Sequence, residues 1–311
     1  MDKQIKRTKP LLEKLYARYN HRRFVPPDPL QFVYRYSDRR DMEIAGFLAS
    51  ALAYGRVRHI ERSLTQLFDR MDEAPYEFTS RFGGPHRAKL RTFKHRFTTG
   101  DDISDLLGLF RRVFDDCGSL EAFFLKGYRH EHASVLPALE AFCESLCRTY
   151  TDKHGRGRTS RGLNYLLASP SRGSASKRLN LFLRWMVRRD EVDPGLWTAI
   201  DRTKLIVPLD VHMGRLCRIL GLYDNKTASL AAAMKVTAGF ARMEPADPVK
   251  YDFALSRIGI LEDCTGRPRP ACETCELFQP CAQRHACSGR AIRGSARRFP
   301  PSAAIARSRS D

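Results

Sequence analysis

Apolar side chains recur along most of this chain at spacings of three and four residues, the period of an α-helix that buries one face. The clearest run follows a candidate N-cap at Asp101 or Asp102 and consists of Ile103, Leu106, Leu107, Phe110, Val113 and Phe114. Comparable patterns predict helices over residues 11–19, 40–54, 60–71, 119–127, 134–149 and 228–243, and one that begins at Asp247. Few stretches alternate apolar with polar residues and no tandem repeat is present, so the sequence predicts an all-α fold.

Residues 174–222 predict two helices joined by a connector, and each helix begins at a residue with useful chemistry. Lys177 opens the first helix, and Asp210 is a suitable N-cap for the second, which ends at Gly221. Apolar residues occupy one face of each helix and leave the other face basic. The basic residues expected on these outer faces are Lys177, Arg184 and Arg188, followed by Arg215 and Arg218, with His212 beside them.

Changes in composition divide the chain into four regions. Residues 73–100 are expected to be irregular, and residues 151–162 are polar and glycine-rich enough to form a basic loop. The expected regions are a basic N-terminal segment (1–40) that packs with the C-terminal lobe, a barrel-like helical lobe (41–200), a C-terminal helical lobe with a cysteine cluster (201–287) and a disordered basic tail (288–311).

The charge of the chain points to an anionic partner. The formal net charge is +19, which favours nucleic acid when no amphipathic membrane anchor is evident. No apolar run approaches the length of a membrane span, and the first residues lack the apolar core of a signal peptide. We therefore expect a cytoplasmic monomer that binds double-stranded DNA and no membrane.

Lys177 and Asp210 admit a structural and a chemical interpretation. Structurally, they are a solvated lysine and a helix cap, as most such residues are. Chemically, a neutral lysine amine is a Schiff-base nucleophile, and cations such as Arg178 and Arg184 would favour the neutral form. A carboxylate at a helix start could take the proton of the amine or face a positive charge that develops on a sugar.

Five of the nine cysteines lie within residues 264–287. Four of them have the spacing C-x7-C-x2-C-x5-C, and these are Cys264, Cys272, Cys275 and Cys281. Four thiolates on one short loop can surround a single metal centre, and the spacing is too tight for a disulfide scaffold in a protein of cytosolic type. An iron–sulfur cluster and a zinc ion both fit this ligand set.

Three segments resemble the helix–hairpin–helix DNA glycosylase superfamily, over about residues 45–285. The sequence VPLDVHM at 207–213 resembles the segment around the catalytic aspartate of the 8-oxoguanine DNA glycosylases, and KRLN at 177–180 resembles the surroundings of the Schiff-base lysine in their archaeal members. The cysteine loop resembles the [4Fe–4S] loop of endonuclease III. The whole chain looks most similar to an uncharacterised bacterial family related to these enzymes.

This resemblance implies a fold of two helical lobes and a DNA repair activity. It implies that Lys177 attacks C1′ of a damaged nucleotide, that Asp210 supports this step, and that strand cleavage at the abasic site (AP lyase activity) follows. It makes the four cysteines ligands of a [4Fe–4S] cluster. The residues expected to contact DNA are Tyr54, Arg56, Arg172, Gly173, Arg178, Arg184, Arg188, His212 and Arg215.

A second class of function stays open. The chain could be a non-catalytic iron–sulfur protein that binds DNA or structured RNA, with Lys177 as a phosphate contact. Both classes predict binding that weakens with salt, and only the enzyme forms a Schiff base.

Overall fold

A computed structural model describes residues 2–154, 159–223 and 227–261 and, in the cysteine-rich segment, residues 264, 266–267, 270–278 and 281. The described chain is mostly helical, which confirms the all-α prediction. Its α-helices are α1 (Asp2–Tyr19), α2 (Arg39–Ala51), α3 (Val57–Arg70), α4 (Pro75–Ser80), α5 (Gly84–Leu90), α6 (Gly100–Cys117), α7 (Leu120–Leu125), α8 (Leu136–His154), α9 (Arg161–Leu166), α10 (Lys177–Val187), α11 (Val211–Ile219), α12 (Leu230–Ala241) and α13 (Asp252–Ile260). Short 3-10 segments lie at Arg22–Phe24, Pro29–Arg35, Pro170–Arg172, Arg202–Lys204 and Pro270–Cys272.

Helix α2 lies at the centre of the core and packs against α10. The ring of Phe47 on α2 meets Phe182 on α10 and Phe110 on α6 edge-on, with centroids 5.1 and 4.8 Å apart. A Cβ at Gly46 would lie 2.8 Å from Cε of Met186, so the absence of a side chain permits the close approach of the two helices. The middle and the C-terminal end of α10 are therefore packed tightly against α2.

The N-terminal segment is joined to the C-terminal helices. Helix α1 packs along α13, and the carboxylate of Glu13 accepts hydrogen bonds from Lys250 (2.9 Å) and Tyr251 (2.5 Å). The fully buried Arg257 of α13 donates to Asp28 at 2.8 Å. A buried, paired arginine costs much to disrupt, so these contacts hold the first 35 residues against the end of the fold.

Residues 73–100 are not irregular, so that expectation was wrong. They contain α4, α5 and a hairpin of two antiparallel strands, β1 (Lys94–His95) and β2 (Thr98–Thr99). These are the only strands in the described part of the chain. Elements this short carry too few apolar positions to show a period in the sequence.

Some helix boundaries also differ from the expectation. Helix α1 starts nine residues earlier than predicted and contains Pro10, because tertiary contacts of its apolar face outweigh the proline. The basic loop is shorter than predicted, since α8 extends to His154 and α9 begins at Arg161. Residues 155–158 and the basic tail over 288–311 lie outside the described residues.

Among the described helices, none is both long and apolar enough to span a membrane.

Candidate functional site

Lys177 and Asp210 lie side by side. Lys177 is the first residue of α10, Asp210 immediately precedes α11, and Nζ of the lysine lies 3.7 Å from Oδ2 of the aspartate. Their side chains keep 28% and 38% of their surface exposed, so a solute can reach both. The packing thus brings together two groups that are 33 positions apart in the sequence.

The two carboxylate oxygens of Asp210 have different partners. Its Oδ1 accepts hydrogen bonds from the backbone N–H groups of His212 (2.9 Å) and Met213 (2.8 Å), as an N-cap does. Its Oδ2 is left to face Lys177. The cap fixes the orientation of the carboxylate and keeps one oxygen free for an ionic or proton-transfer role, so the structural and chemical interpretations of Asp210 are compatible.

The connector before α10 presents backbone to solvent. Gly173 has φ +73° and is exposed, with no atom within 4 Å of the position that a Cβ would occupy. Ser176 is also left-handed, with φ +45°, and its hydroxyl donates to the carbonyl of Ala168 at 2.7 Å. A non-glycine residue is strained in this region, so the turn that delivers Lys177 is held by specific contacts. The predicted DNA contact Arg172 is exposed and donates to Asn164 at 2.7 Å.

Arg178 faces inward rather than toward solvent. Its guanidinium donates to the backbone carbonyls of Ala51 (2.5 Å) and Tyr165, and its Cζ lies 4.0 Å from the centroid of the Tyr165 ring. Burial lowers the pKa of Arg178. These contacts fasten the start of α10 to the ends of α2 and α9, so a DNA phosphate would have to compete with two carbonyl groups for this side chain.

The helical pattern predicted that Arg184 and Arg188 lie on the exposed face of α10, and this prediction was wrong. Both side chains are only 3% exposed. Arg184 pairs with Asp193 (3.1 Å) and Asp252, and Arg188 pairs with Asp193 (2.9 Å) and Asp247 (2.8 Å). Charges buried this deeply persist only when they are paired. They therefore hold α10 to the following loop and to α13, and neither side chain is exposed to solvent or free of a counter-ion in this structure.

The same ion network extends toward the candidate pair. Burial raises the pKa of Asp252 to about 6, although the ion pair with Arg184 acts in the opposite direction. The negative charge of Asp210 adds to the increase, because a like charge disfavours the ionised form of Asp252. Helix α13, which carries Asp252, packs against α11, so the buried network adjoins the helix that Asp210 caps.

Tyr54 and Arg56, at the tip between α2 and α3, differ in accessibility. The hydroxyl of Tyr54 lies 2.9 Å from the carbonyl of His95 and 2.7 Å from Oγ1 of Thr98, so it is already occupied by the hairpin. Arg56 is exposed, and its side chain makes no hydrogen bond or ion pair with any described residue. Arg56 remains available to a phosphate, whereas Tyr54 supports its neighbours.

His212 and Arg215 connect α11 to the cysteine segment. Nη2 of Arg215 donates to the carbonyl of Cys264 at 2.8 Å and lies 3.1 Å from Nδ1 of the exposed His212. Gly266 lies against the same side chain, since a Cβ there would be 2.7 Å from Cδ of Arg215. Arg215 therefore ties the helix that begins at Asp210 to the loop that carries the predicted metal ligands.

The four cysteines of the predicted metal centre all belong to the described part of the cysteine-rich segment. Burial raises the pKa of the Cys275 thiol, and the charges of Cys264, Cys272 and Cys281 raise it further. In the described part of the chain, however, no group of three or more cysteine, histidine or acidic side chains has the geometry of a metal site. The donor chemistry suits iron–sulfur or zinc, and the metal centre stays a prediction.

Sequence reasoning missed two aromatic residues near the start of α10. Tyr165 packs against the guanidinium of Arg178, and Phe97 contacts Tyr165 with ring centroids 4.6 Å apart. Phe97 is 56% exposed at the hairpin tip. The sequence offers no periodic signal for this hairpin, because each of its strands has only two residues.

The fold and site describe an all-helical protein in which a lysine and an aspartate from two helix starts share one accessible position. A family model described as "Protein of unknown function (DUF2400)" matches residues 28–261, and the chain belongs to this family. The matched range includes Lys177 and Asp210 and ends before the four cysteines. No curated protein and no solved structure matches the chain.

Proposed function

We propose that this protein is a DNA repair glycosylase with AP lyase activity, in which Lys177 is the nucleophile and Asp210 its carboxylate partner. The observation that carries the proposal is the 3.7 Å separation of Nζ and Oδ2 at an accessible position. A structural ion pair needs no such access, whereas an amine that attacks a sugar does. The net charge of +19 supports a polyanionic substrate.

The order of elements also supports membership of the helix–hairpin–helix glycosylase superfamily. Helices α9 and α10 are joined by the turn at 167–176, and the lysine opens the second helix of this pair. Gly173 presents an open backbone at that turn, and Arg172 lies beside it. In this proposal the turn approaches the phosphate chain of double-stranded DNA and positions Lys177 at the target nucleotide.

The proposed reaction begins with a damaged nucleotide that has left the base stack. Asp210 accepts a proton from the Lys177 ammonium, and the neutral amine attacks C1′ as the bond from C1′ to the base breaks. The base leaves with the bonding electrons and takes up a proton. Loss of a second proton and opening of the sugar ring give an iminium linked to Lys177. Removal of a C2′ proton then expels the 3′ phosphate by β-elimination.

The orientation of Asp210 suits these roles. Its Oδ1 is held by two backbone N–H groups, so Oδ2 keeps one position relative to the amine throughout. A fixed carboxylate stabilises the positive charge of a sugar in the transition state without reorganisation.

The proposed cofactor is a [4Fe–4S] cluster, with zinc as the alternative. Cys264, Cys272, Cys275 and Cys281 would hold it, and a bound centre would supply a structural cross-link for this loop. Arg215 would transmit that rigidity to α11, because it donates to the carbonyl of Cys264. We also propose that the protein is a monomer and that it is located in the cytoplasm.

A non-catalytic nucleic-acid-binding protein is the second candidate. The favouring observation is that Lys177 and Asp210 already form an ion pair and that Asp210 has a complete capping role. In this case Lys177 would contact a phosphate and no covalent intermediate would form.

A panel of lesion-containing duplexes tests the proposal. We expect the purified protein, with its metal bound, to release one class of damaged base and to cleave the strand at the resulting abasic site. Binding of these duplexes without base release or cleavage on any of them would favour the second candidate.

A further inference from the structure

The hairpin of β1 and β2 displays an aromatic ring to solvent. Phe97 lies at its tip with 56% of its surface exposed, the largest exposure of any phenylalanine that the structure describes. A partner that covers this ring would remove its apolar surface from water, which favours binding.

The hairpin is fixed by hydrogen bonds to the body of the protein. His95 is buried, with Nε2 3.0 Å from the carbonyl of Tyr54 and Nδ1 2.9 Å from Oγ of Ser63. These distances make Nε2–H the donor to the carbonyl and Nδ1 the acceptor from the serine hydroxyl. The Tyr54 hydroxyl in turn contacts both strands, at His95 and Thr98. The tip therefore needs little ordering when it binds a partner.

Two further rings support Phe97 from below. The ring of Tyr54 is stacked on it, with centroids 5.0 Å apart and planes at 25°, while Tyr165 meets it edge-on at 80°. Stacking on Tyr54 covers one face of Phe97, and Cζ of Arg96 lies 5.8 Å from the centroid of the Phe97 ring. The three rings form an aromatic platform, defined by Tyr54, Phe97 and Tyr165, of which Phe97 is the exposed member.

Cations surround the platform. Lys94 and Arg96 flank Phe97 on the hairpin, and Arg56 and Arg58 follow Tyr54 on the neighbouring loop and helix. All four are exposed, and residues 54–60 and 93–100 contain no acidic residue. An exposed aromatic ring with exposed cations beside it is complementary to a base and its phosphates.

We propose that the aromatic platform stacks against an unpaired base, so that this protein prefers DNA with unpaired nucleotides to a fully paired duplex. The reason is geometric, since both faces of a base inside a duplex are already stacked, whereas an unpaired base has a free face. The inference rests on the DNA binding of the proposed function and specifies the form of the substrate. Arg178, whose Cζ lies 5.2 Å from the Tyr54 centroid, is adjacent in sequence to Lys177, so the platform contacts the same end of α10 at which Lys177 stands.

Fluorescence of 2-aminopurine measures this stacking directly. The probes are one oligonucleotide as a single strand, as a bubble with 2-aminopurine unpaired, and as a full duplex. We expect the full-length protein to bind the first two more tightly and to quench their fluorescence. Phe97→Ala should weaken binding to the unpaired forms about tenfold and abolish the quenching. Loss of the stacking of one base on one aromatic side chain weakens binding by about this factor.

Three variants control the experiment. Phe97→Trp keeps a π-face and should retain quenching, whereas Phe97→Leu keeps an apolar side chain and should lose it. Arg56→Ala should weaken binding to all three probes by the same factor, because each probe offers the same phosphate contact. Lys177→Gln should leave quenching unchanged, which separates stacking from the proposed chemistry.

The outcomes distinguish this inference from the function on which it rests. If the protein binds all three probes equally, or if Phe97→Ala quenches as the parent does, the platform is not a base-stacking site, whatever the fate of the glycosylase reaction. If Lys177→Gln stops base release while Phe97→Ala stops only the preference for unpaired DNA, both proposals hold.

Discussion

Nζ of Lys177 lies 3.7 Å from Oδ2 of Asp210, and each residue stands at the start of its own helix. The N-cap bonds of Asp210 fix its carboxylate, and the packing of the two helices places the amine beside it. Two segments that are remote in sequence thus supply one amine and one carboxylate to the same accessible position.

Asp210 is expected to have separable roles in stability and in chemistry. Asp210→Ala removes the cap of α11 and should lower the free energy of unfolding by about 1 kcal/mol. Asp210→Asn retains an oxygen that can accept the same hydrogen bonds, so it should lose much less stability while base release slows by about 10² to 10⁴-fold. Urea denaturation and single-turnover excision measure the two effects. Equal loss of stability in both variants would contradict the capping role.

Arg184 should matter for folding and not for DNA binding. Arg184→Ala leaves Asp193 and Asp252 buried without their partner and should cost about 3–5 kcal/mol of unfolding free energy. Arg56→Ala, at an exposed position, is the matched control and should change stability by less than about 0.5 kcal/mol while weakening DNA binding. If the Arg184→Ala protein is as stable as the parent but binds DNA more weakly, the buried structural role is contradicted. The DNA contact that the sequence suggested would then be favoured.

The long helices were predictable because each one buries a continuous apolar stripe. The run from Ile103 to Phe114 is fully apolar on its inner face, and α6 forms there. The same reasoning failed for Arg184 and Arg188, because a helical wheel assigns charged residues to the outside. The acidic residues Asp190 and Asp193 follow these arginines directly, yet their closure into a buried network depends on α13, which is remote in sequence.

The candidate site was predicted in its residue types and only partly in its geometry. Lys177 and Asp210 could be singled out because each stands at a helix start, where caps and charges have a known pattern. Their proximity depends on how α10 and α11 pack, which no local pattern encodes. Phe97 could not be placed, since a strand of two residues has no period to detect.

The four cysteines should bind one metal centre. We expect protein purified without oxygen to be brown and to contain about four irons per chain. Cys275→Ser should lose iron, whereas Cys117→Ser, at a half-buried position on α6, should keep it. Iron analysis and visible absorption measure both variants. Colourless protein with one zinc per chain would overturn the cluster and retain the four-thiolate site.

The hairpin should loosen in acid because of His95. Burial lowers the pKa of His95 below its usual 6.5, so the unfolded form binds a proton before the folded form does. The stability that neutral His95 supplies is complete above pH 6.5 and falls as the pH drops below that value. Because intrinsic amide exchange slows in acid, the measured quantity is the protection factor of residues 94–99, which should be smaller at pH 5 than at neutral pH. His95→Gln cannot be protonated and should keep its protection factors; an equal decrease in this variant would contradict the assignment.

Borohydride trapping on abasic-site DNA tests the role of Lys177 most directly, because only a Schiff base is reduced to a stable covalent adduct. We expect the parent protein to form an adduct whose peptide map places the DNA on Lys177. Lys177→Gln should form none while keeping most of its DNA affinity, since one charge among many contributes little to binding. Lys204→Gln, which changes a lysine outside the pair, should trap as the parent does. An adduct of undiminished yield in Lys177→Gln, or no adduct in the parent on any abasic or damaged DNA, would contradict the proposal that Lys177 is the nucleophile.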